Sequence, residues 1–145
     1  MALNLIKLCV GAESLQDLRD WVSERSLTAM AAGLEPHSTH TTRMMPKRME
    51  ELLDQGSLYW VIKGQVAARQ KLLDITTVTG SDGISRCHLV LGPEVIETAP
   101  QPRRPFQGWR YLTTEDAPRD LGSIGEGVAA MPEELRRELA ELGLL

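Results

Sequence analysis

Aromatic rings are scarce in this chain: three Trp, two Tyr and one Phe among 145 residues, so any core must be mainly aliphatic. The two cysteines, Cys9 and Cys87, are too few for a disulfide framework. Without secretory features around them, their default state is reduced and buried. No apolar run approaches the roughly 20 residues that a helical membrane span requires. The apolar start (Leu3, Leu5, Ile6, Leu8, Val10) is interrupted by Lys7 and lacks a basic flank, so it reads as a core strand and not as a leader. The expectation is a cytoplasmic, bacterial-type protein that does not engage a membrane. Motifs that fix a reaction are also missing. There is no CxxC, no HExxH, no glycine-rich phosphate cradle and no pair of carboxylates set apart from the solvated background. His37, His40, Cys87 and His88 show no diagnostic ligand spacing, so neither a metal nor a cofactor is expected.

What remains is an ordinary globular composition, 42% apolar and 25% charged. A chain of this length suits one compact domain, residues 1–145, burying about 68–70% of its unfolded surface. The net charge of −4 is unevenly spread. Arg43 to Arg110 holds ten Lys and Arg against seven Asp and Glu, whereas the rest holds six against thirteen. A mildly basic middle between acidic ends permits local anion binding but not the coating of long nucleic acid by bulk charge.

Along the chain, Leu3 to Val10 reads as a strand ended by Gly11. Ser14 with Asp17 three residues on forms a weakened capping box for a helix over Ser14–Ala32, with Leu15, Leu18, Trp21, Val22, Met30 and Ala31 on its stripe. His37 to Thr42 is polar, without apolar periodicity, and reads as a loop. Pro46 suits the first turn of a short helix facing Met49, Leu52 and Leu53 inward, with Gly56 closing it. Leu58 to Ile62 is apolar at every position, the pattern of a buried central strand. Gln65 to Asp74 is ambiguous: Ala67, Ala68 and Lys71 favour helix, while Thr76, Thr77, Val78 and Thr79 beyond favour strand. Gly80-Ser81-Asp82-Gly83 marks a hairpin whose second strand, Ile84 to Leu91, puts Cys87, Leu89 and Leu91 on one face. Four prolines between Pro93 and Pro105 make an extended connector. Trp109 to Leu112 is a last strand and Pro132 to Leu142 a C-terminal helix. Five to six strands and about three helices outside regular βαβ alternation imply an α+β fold on a mixed, curved sheet or small β-barrel.

The densest chemical signal is Arg103-Arg104-Pro105-Phe106-Gln107-Gly108-Trp109-Arg110-Tyr111-Leu112, with three guanidiniums and three rings in ten residues. Guanidiniums grip phosphate bidentately, and rings stack on bases for about 1–3 kcal/mol each. In an extended chain Gln107, Trp109 and Tyr111 face one way, and Phe106, Gly108 and Arg110 the other. The bland alternative fills the core with Trp109 and Tyr111 and pairs the arginines with Glu94, Glu97 or the acidic C-terminal third. Tyr59-Trp60-Val61-Ile62-Lys63-Gly64 offers a second signal, a lysine at a buried strand's exit. Arg69 and Gln70 follow shortly and are candidates for the same mouth. Against this stands a plain core strand ending in a solvated lysine.

These two blocks resemble an uncharacterised proteobacterial family, a domain of unknown function, over nearly the whole chain. A looser architectural likeness is to the small PUA, ASCH and EVE barrels, which implies binding of RNA or modified bases. Three functional classes follow. The leading one is a binding module for RNA, a nucleotide or a modified base, in which Arg103, Arg104 and Arg110 hold phosphate and Phe106, Trp109 or Tyr59 stack; Lys63, Arg69, Gln107 and Tyr111 complete the candidate surface. The second is a small hydrolase or transferase acting on a nucleotide-like anion, using His37 or His40 as acid or base beside Lys63, Arg69 and Arg110. The third is a protein-interaction or homo-oligomeric assembly module with the same block as its hot spot.

Overall fold

The computed structural model describes residues 3–121. In chain order its elements are β1 (Leu3–Leu8), α1 (Leu15–Ala31), β2 (Ser38–Thr42), α2 (Met49–Leu53), β3 (Ser57–Ile62), β4 (Gln65–Thr79), β5 (Ser85–Leu91), β6 (Ile96–Pro102) and β7 (Trp109–Thr113). The seven strands form one sheet in the order β2-β5-β4-β3-β1-β7, with β6 on β4 off this path. Only β1 and β3 run parallel, which their long connection through α1 and α2 allows.

Strand β4 organises the sheet. Its first half, from Gln65 to Lys71, pairs with β3. Gln65 to Arg69 also pair with β6, necessarily on the other edge. Leu72 to Thr79 pair with β5. Register shifts between Trp60 and Val61, Val66 and Ala68, and Leu72 and Asp74 bend these ladders. That curvature lets one strand serve three neighbours. The β3–β4 hairpin turns on two residues, Lys63 (φ 51°) and Gly64 (φ 79°), the all-positive pattern of a type I′ turn. Glycine is obligatory elsewhere: a Cβ on Gly56 would lie 2.2 Å from the carbonyl oxygens of both Leu3 and Leu52, so α2 enters β3 through a backbone contact with no room for a side chain.

Alternation divides the apolar residues between two faces. Leu58, Trp60 and Ile62 of β3 join Leu3, Leu5, Leu72, Cys87, Leu89, Leu91 and Trp109 in the main core. Helix α1 closes this face with Leu15, Leu18 and Val22, each buried leucine contributing roughly 1.5–3 kcal/mol. The Ser14 hydroxyl accepts the amide of Asp17, whose carboxylate accepts the amide of Glu13. At its far end Gly33 donates to Met30 and Leu34 to Ala29, with Gly33 at φ 80°, a Schellman ending. The opposite face is smaller: Ile6, Tyr59, Val61, Val66 and Leu112 pack with Leu8, Phe106 and Ala117.

Several sequence expectations change. The polar His37–Thr42 stretch contains strand β2, because Ser38 to Thr42 pair along β5 and their buried hydroxyls find partners inside. The proline connector contains β6; among the strands it pairs with β4 alone, and its other edge is met by the segment after β7 at Thr98 and Ala99, so Pro100 and Pro102 fall where that edge needs no amide. The ambiguous Gln65–Asp74 stretch is strand throughout. Pro46 lies ahead of α2, whose N-cap is Arg48. On α1 the buried face is Leu15, Leu18, Val22, Ser26 and Ala29, leaving Met30 and Ala31 turned outward. Among the described residues there are two helices, and β2 and β7 each have a single partner, so the sheet is open and does not close as a barrel. The expected helix over Pro132–Leu142 lies outside the described residues.

Gln70 stands where β4 changes partners. It is fully buried (0% exposed); its Oε1 accepts the Trp60 indole N–H at 2.9 Å, and its Nε2 donates to Ser38 Oγ at 3.2 Å and Gly92 O at 2.9 Å. Gln70→Leu preserves volume but strands the Trp60 donor and the Gly92 acceptor, and should lower the unfolding free energy by about 2–4 kcal/mol. Urea unfolding measures this; a loss below about 1 kcal/mol would show that the bonds are dispensable.

Candidate functional site

The Arg103–Tyr111 block does not act as one surface. On the smaller sheet face a groove of about 430 Å³ is lined by Arg103, Arg104, Phe106 and Arg110, floored by Ile6 and Leu112 and bounded by Pro102, Pro105 and Tyr111. The Arg110 guanidinium lies 5.3 Å from the centre of the Phe106 ring, a cation–π contact that presents a flat, charged platform. Arg104 is exposed, and neither it nor Arg110 forms an ion pair among the described residues. Arg103 is braced: its side chain donates to Gln101 Oε1 at 2.6 and 3.0 Å, and its amide to Gly64 O at 2.8 Å. That last bond sets the Lys63–Gly64 turn beside the groove, so the two sequence blocks adjoin through backbone. Lys63 itself is exposed at the turn apex, and Gln107 is exposed beside Gly108; neither lines the groove.

Two rings of the block have structural work. Trp109, 8% exposed, donates its indole N–H to Met44 O at 2.7 Å. The Tyr111 hydroxyl accepts the amides of Lys47 and Arg48 at 3.0 and 3.3 Å, and its ring meets Trp109 edge-on at 4.9 Å. Together they pin the chain between β2 and α2 onto β7. Arg69 is directed elsewhere as well: it donates two parallel hydrogen bonds to the Asp120 carboxylate (both 2.8 Å) and a third to Ser57 Oγ, anchoring the segment after β7 onto β4. Tyr59 is 8% exposed, lies beside Arg69 and does not line the groove.

On the opposite face, between α1 and the sheet, is a more enclosed pocket of about 190 Å³. Cys9 and Val10 after β1, Leu18, Trp21 and Arg25 of α1, Ser38, Thr39 and His40 of β2, Trp60, Gln70 and Leu91 line it. His40 stands edge-on to Trp60, centroids 5.1 Å apart, and its Nε2 is buried without a hydrogen-bond partner. Burial foremost, then the charges of Lys7 and Arg25, lowers the imidazole from its ordinary 6.5 to about 4. Burial likewise raises the Cys9 thiol to about 11, so His40 and Cys9 are both uncharged at neutral pH. His37 lies in a shallower hollow with Leu34 and Thr28, its Nδ1 2.7 Å from Glu35 O. Neither histidine lines the arginine groove, so the enzyme reading loses its acid–base partner there. Among the described residues no three His, Cys, Asp or Glu side chains gather to hold a metal ion. Sequence reasoning named His40 but missed Ser38, Trp60 and Gln70 as its companions, since they come from three strands brought together only by pairing.

An open seven-stranded α+β sheet with an arginine groove on one face and a histidine pocket on the other is thus the class of molecule. The chain belongs to the family described as Protein of unknown function (DUF1489), whose model matches residues 5–145. No curated protein and no solved structure matches it.

Two outcomes are expected. Tyr111→Phe removes the acceptor for two amides and should cost about 1 kcal/mol in urea unfolding; an unchanged midpoint would show that the hydroxyl does not pin the Met44–Arg48 segment. For His40, the unfolded chain takes up a proton near 6.5 that the folded chain refuses until about 4, so stability is complete above 6.5 and falls as the pH drops toward 4. Over that window the loss from this group should be about 2 kcal/mol, allowing for the part of the ring open to water. Comparing unfolding free energies of the native chain and His40→Gln at pH 7 and about pH 4.5 isolates it; superimposable profiles would refute it.

Proposed function

We propose that the protein is a binding module for a phosphate-bearing nucleotide or a short single-stranded RNA, taken up in the Arg103–Arg104–Phe106–Arg110 groove. One observation carries the reading: a guanidinium stacked on the chain's sole phenylalanine, beside two further arginines, in an open groove of about 430 Å³. A base lying on this platform gains about 1–3 kcal/mol from stacking, and the neighbouring guanidiniums supply charge-assisted bonds to phosphate. The groove size fits one or two nucleotides, in keeping with a chain whose overall charge of −4 is unsuited to coating long polyanions. Phe106, Arg104 and Arg110 take the recognition roles; Arg103 supplies a braced third cation. Trp109 and Tyr111 hold the edge strand in place.

Anisotropy of a labelled hexauridylate at low and moderate salt tests this. Saturable binding is expected, weakened at least tenfold by Arg104→Gln with Arg110→Gln. The slope of log affinity against log salt should fall by about 1.4, the release expected when two single-strand phosphate contacts are lost. Absence of saturable binding at low salt, or a double variant indistinguishable from the native chain, would defeat the reading.

A further inference from the structure

The arginine groove leaves the other face of the sheet unused, and the strongest unexplained feature of the molecule lies there. Among the described residues, the buried side-chain atoms that find no hydrogen-bond partner are Ser26 Oγ and His40 Nε2. Leaving such an atom unpaired costs about 1–3 kcal/mol. Ser26 Oγ belongs to the packed face of α1. His40 Nε2 belongs to a residue that lines a cavity, and that cavity has a defined chemistry.

Its size is decisive first. At about 190 Å³ it is somewhat larger than the roughly 150 Å³ that accommodates a benzene ring, and smaller than the roughly 300 Å³ at which drug-sized pockets begin. One ring or a fused pair fits; a whole nucleotide does not. The walls are apolar and polar in comparable measure, and the apolar share includes the rings of Trp21 and Trp60 with Leu18 and Leu91, which favours a flat ring. Apart from Arg25, the polar groups, Ser38, Thr39, His40 and Gln70, are uncharged at neutral pH. Gln70 has committed both amide protons to Ser38 and Gly92, so Ser38 Oγ, which accepts one of them, retains its own proton for donation. His40 offers Nε2 as acceptor or donor according to its tautomer. The sole guanidinium in the lining, Arg25, is exposed on α1 and lies 5.8 Å over the Trp21 ring, at the rim and not in the depth. The charges of Lys7 and Arg25 reach His40, but Lys7 does not line the pocket and Arg25 stands at its rim, so a ligand charge in its depth would lack a directly hydrogen-bonded counter-charge, and an unpaired buried charge is far more costly than an unpaired dipole.

We infer that this pocket binds a small, uncharged, planar heteroaromatic molecule whose edge hydrogen-bonds His40 Nε2 and Ser38 Oγ while its face lies among Trp21, Trp60 and Leu18. The site is separate from the arginine groove, because Cys9, Leu18, Trp60 and Leu91 belong to the main core face, whereas Ile6, Phe106 and Leu112 belong to the opposite cluster. Filling it pairs the orphan nitrogen, so occupancy should also stabilise the fold.

The probes are adenine and nicotinamide as neutral heterocycles, benzoate as a charged ring and toluene as an apolar one. Each is titrated into the full chain while the His40 imidazole C–H and Trp60 indole N–H resonances are followed. At least one heterocycle should shift both signals saturably, with half-saturation at about 1 mM or below, and benzoate and toluene should bind at least tenfold more weakly. Which heterocycle binds distinguishes a nucleobase from a pyridine-type ligand. His40→Leu removes the nitrogen at similar bulk and should abolish the Trp60 shift; should it fail to fold, Ser38→Ala must weaken binding at least fivefold. Arg104→Gln with Arg110→Gln must leave these titrations unchanged, which separates the inference from the groove reading. No saturable shift from either heterocycle at about 10 mM, or benzoate binding as tightly as they do, would overturn it.

Discussion

The carboxamide of Gln70 is the constraint on which the rest of the sheet depends. It lies in β4 at the step between the residues that pair with β3 and β6 and those that pair with β5. A long strand changing partners leaves polar groups near the junction, and these must be satisfied without water. Gln70 does so by accepting from Trp60 on β3 and donating to Ser38 on β2 and to the Gly92 carbonyl that follows β5. Two of its three partners are side chains from non-adjacent parts of the chain, so the network fixes how β2 and β3 sit relative to β4. An apolar residue here would fill space but would not specify that arrangement.

From this junction the two faces acquire different characters. On the main face, α1 lies over the polar network and a cavity persists beside it, because the residues beneath the helix include Ser38, His40 and Gln70 and not only aliphatics. The other face has a thin apolar cluster, covered by Phe106, Ala117 and the chain after β7. Its arginines divide by partner. Arg69 is tied to Asp120 and Ser57, and Arg103 to Gln101. Arg104 and Arg110 are those oriented toward open groove. Residue type alone does not separate an anchoring arginine from an unanchored one; the neighbouring acceptor does.

What was legible in the sequence follows from range. Patterns settled within a few residues read correctly: the Ser14 cap and the Leu15, Leu18, Val22 stripe, the uniformly buried β3, the Gly80–Gly83 hairpin with Cys87, Leu89 and Leu91 inward, and the strand beginning at Trp109. β2 and β6 did not, since a threonine-rich or proline-containing segment becomes a strand only when a partner edge is present. The alternation read in the Arg103–Leu112 block put Trp109 and Tyr111 on one side and Phe106 and Arg110 on the other, and the structure keeps that division. It could not show that the tryptophan side would be occupied by Met44, Lys47 and Arg48, because those contacts span more than sixty residues.

The same reasoning explains why the histidine pocket escaped a search for motifs. Metal and catalytic motifs are recognised by spacing along one element, whereas Ser38, His40, Trp60 and Gln70 converge by cross-strand register. Of these, Gln70 is explained by the fold: every polar atom it carries is matched. His40 is not, since a phenylalanine in its place would keep the edge contact to Trp60 without the unpaired nitrogen or the sensitivity to acid. A group that weakens the folded state, placed where a cavity rather than a neighbour meets it, has its physical rationale in what enters that cavity.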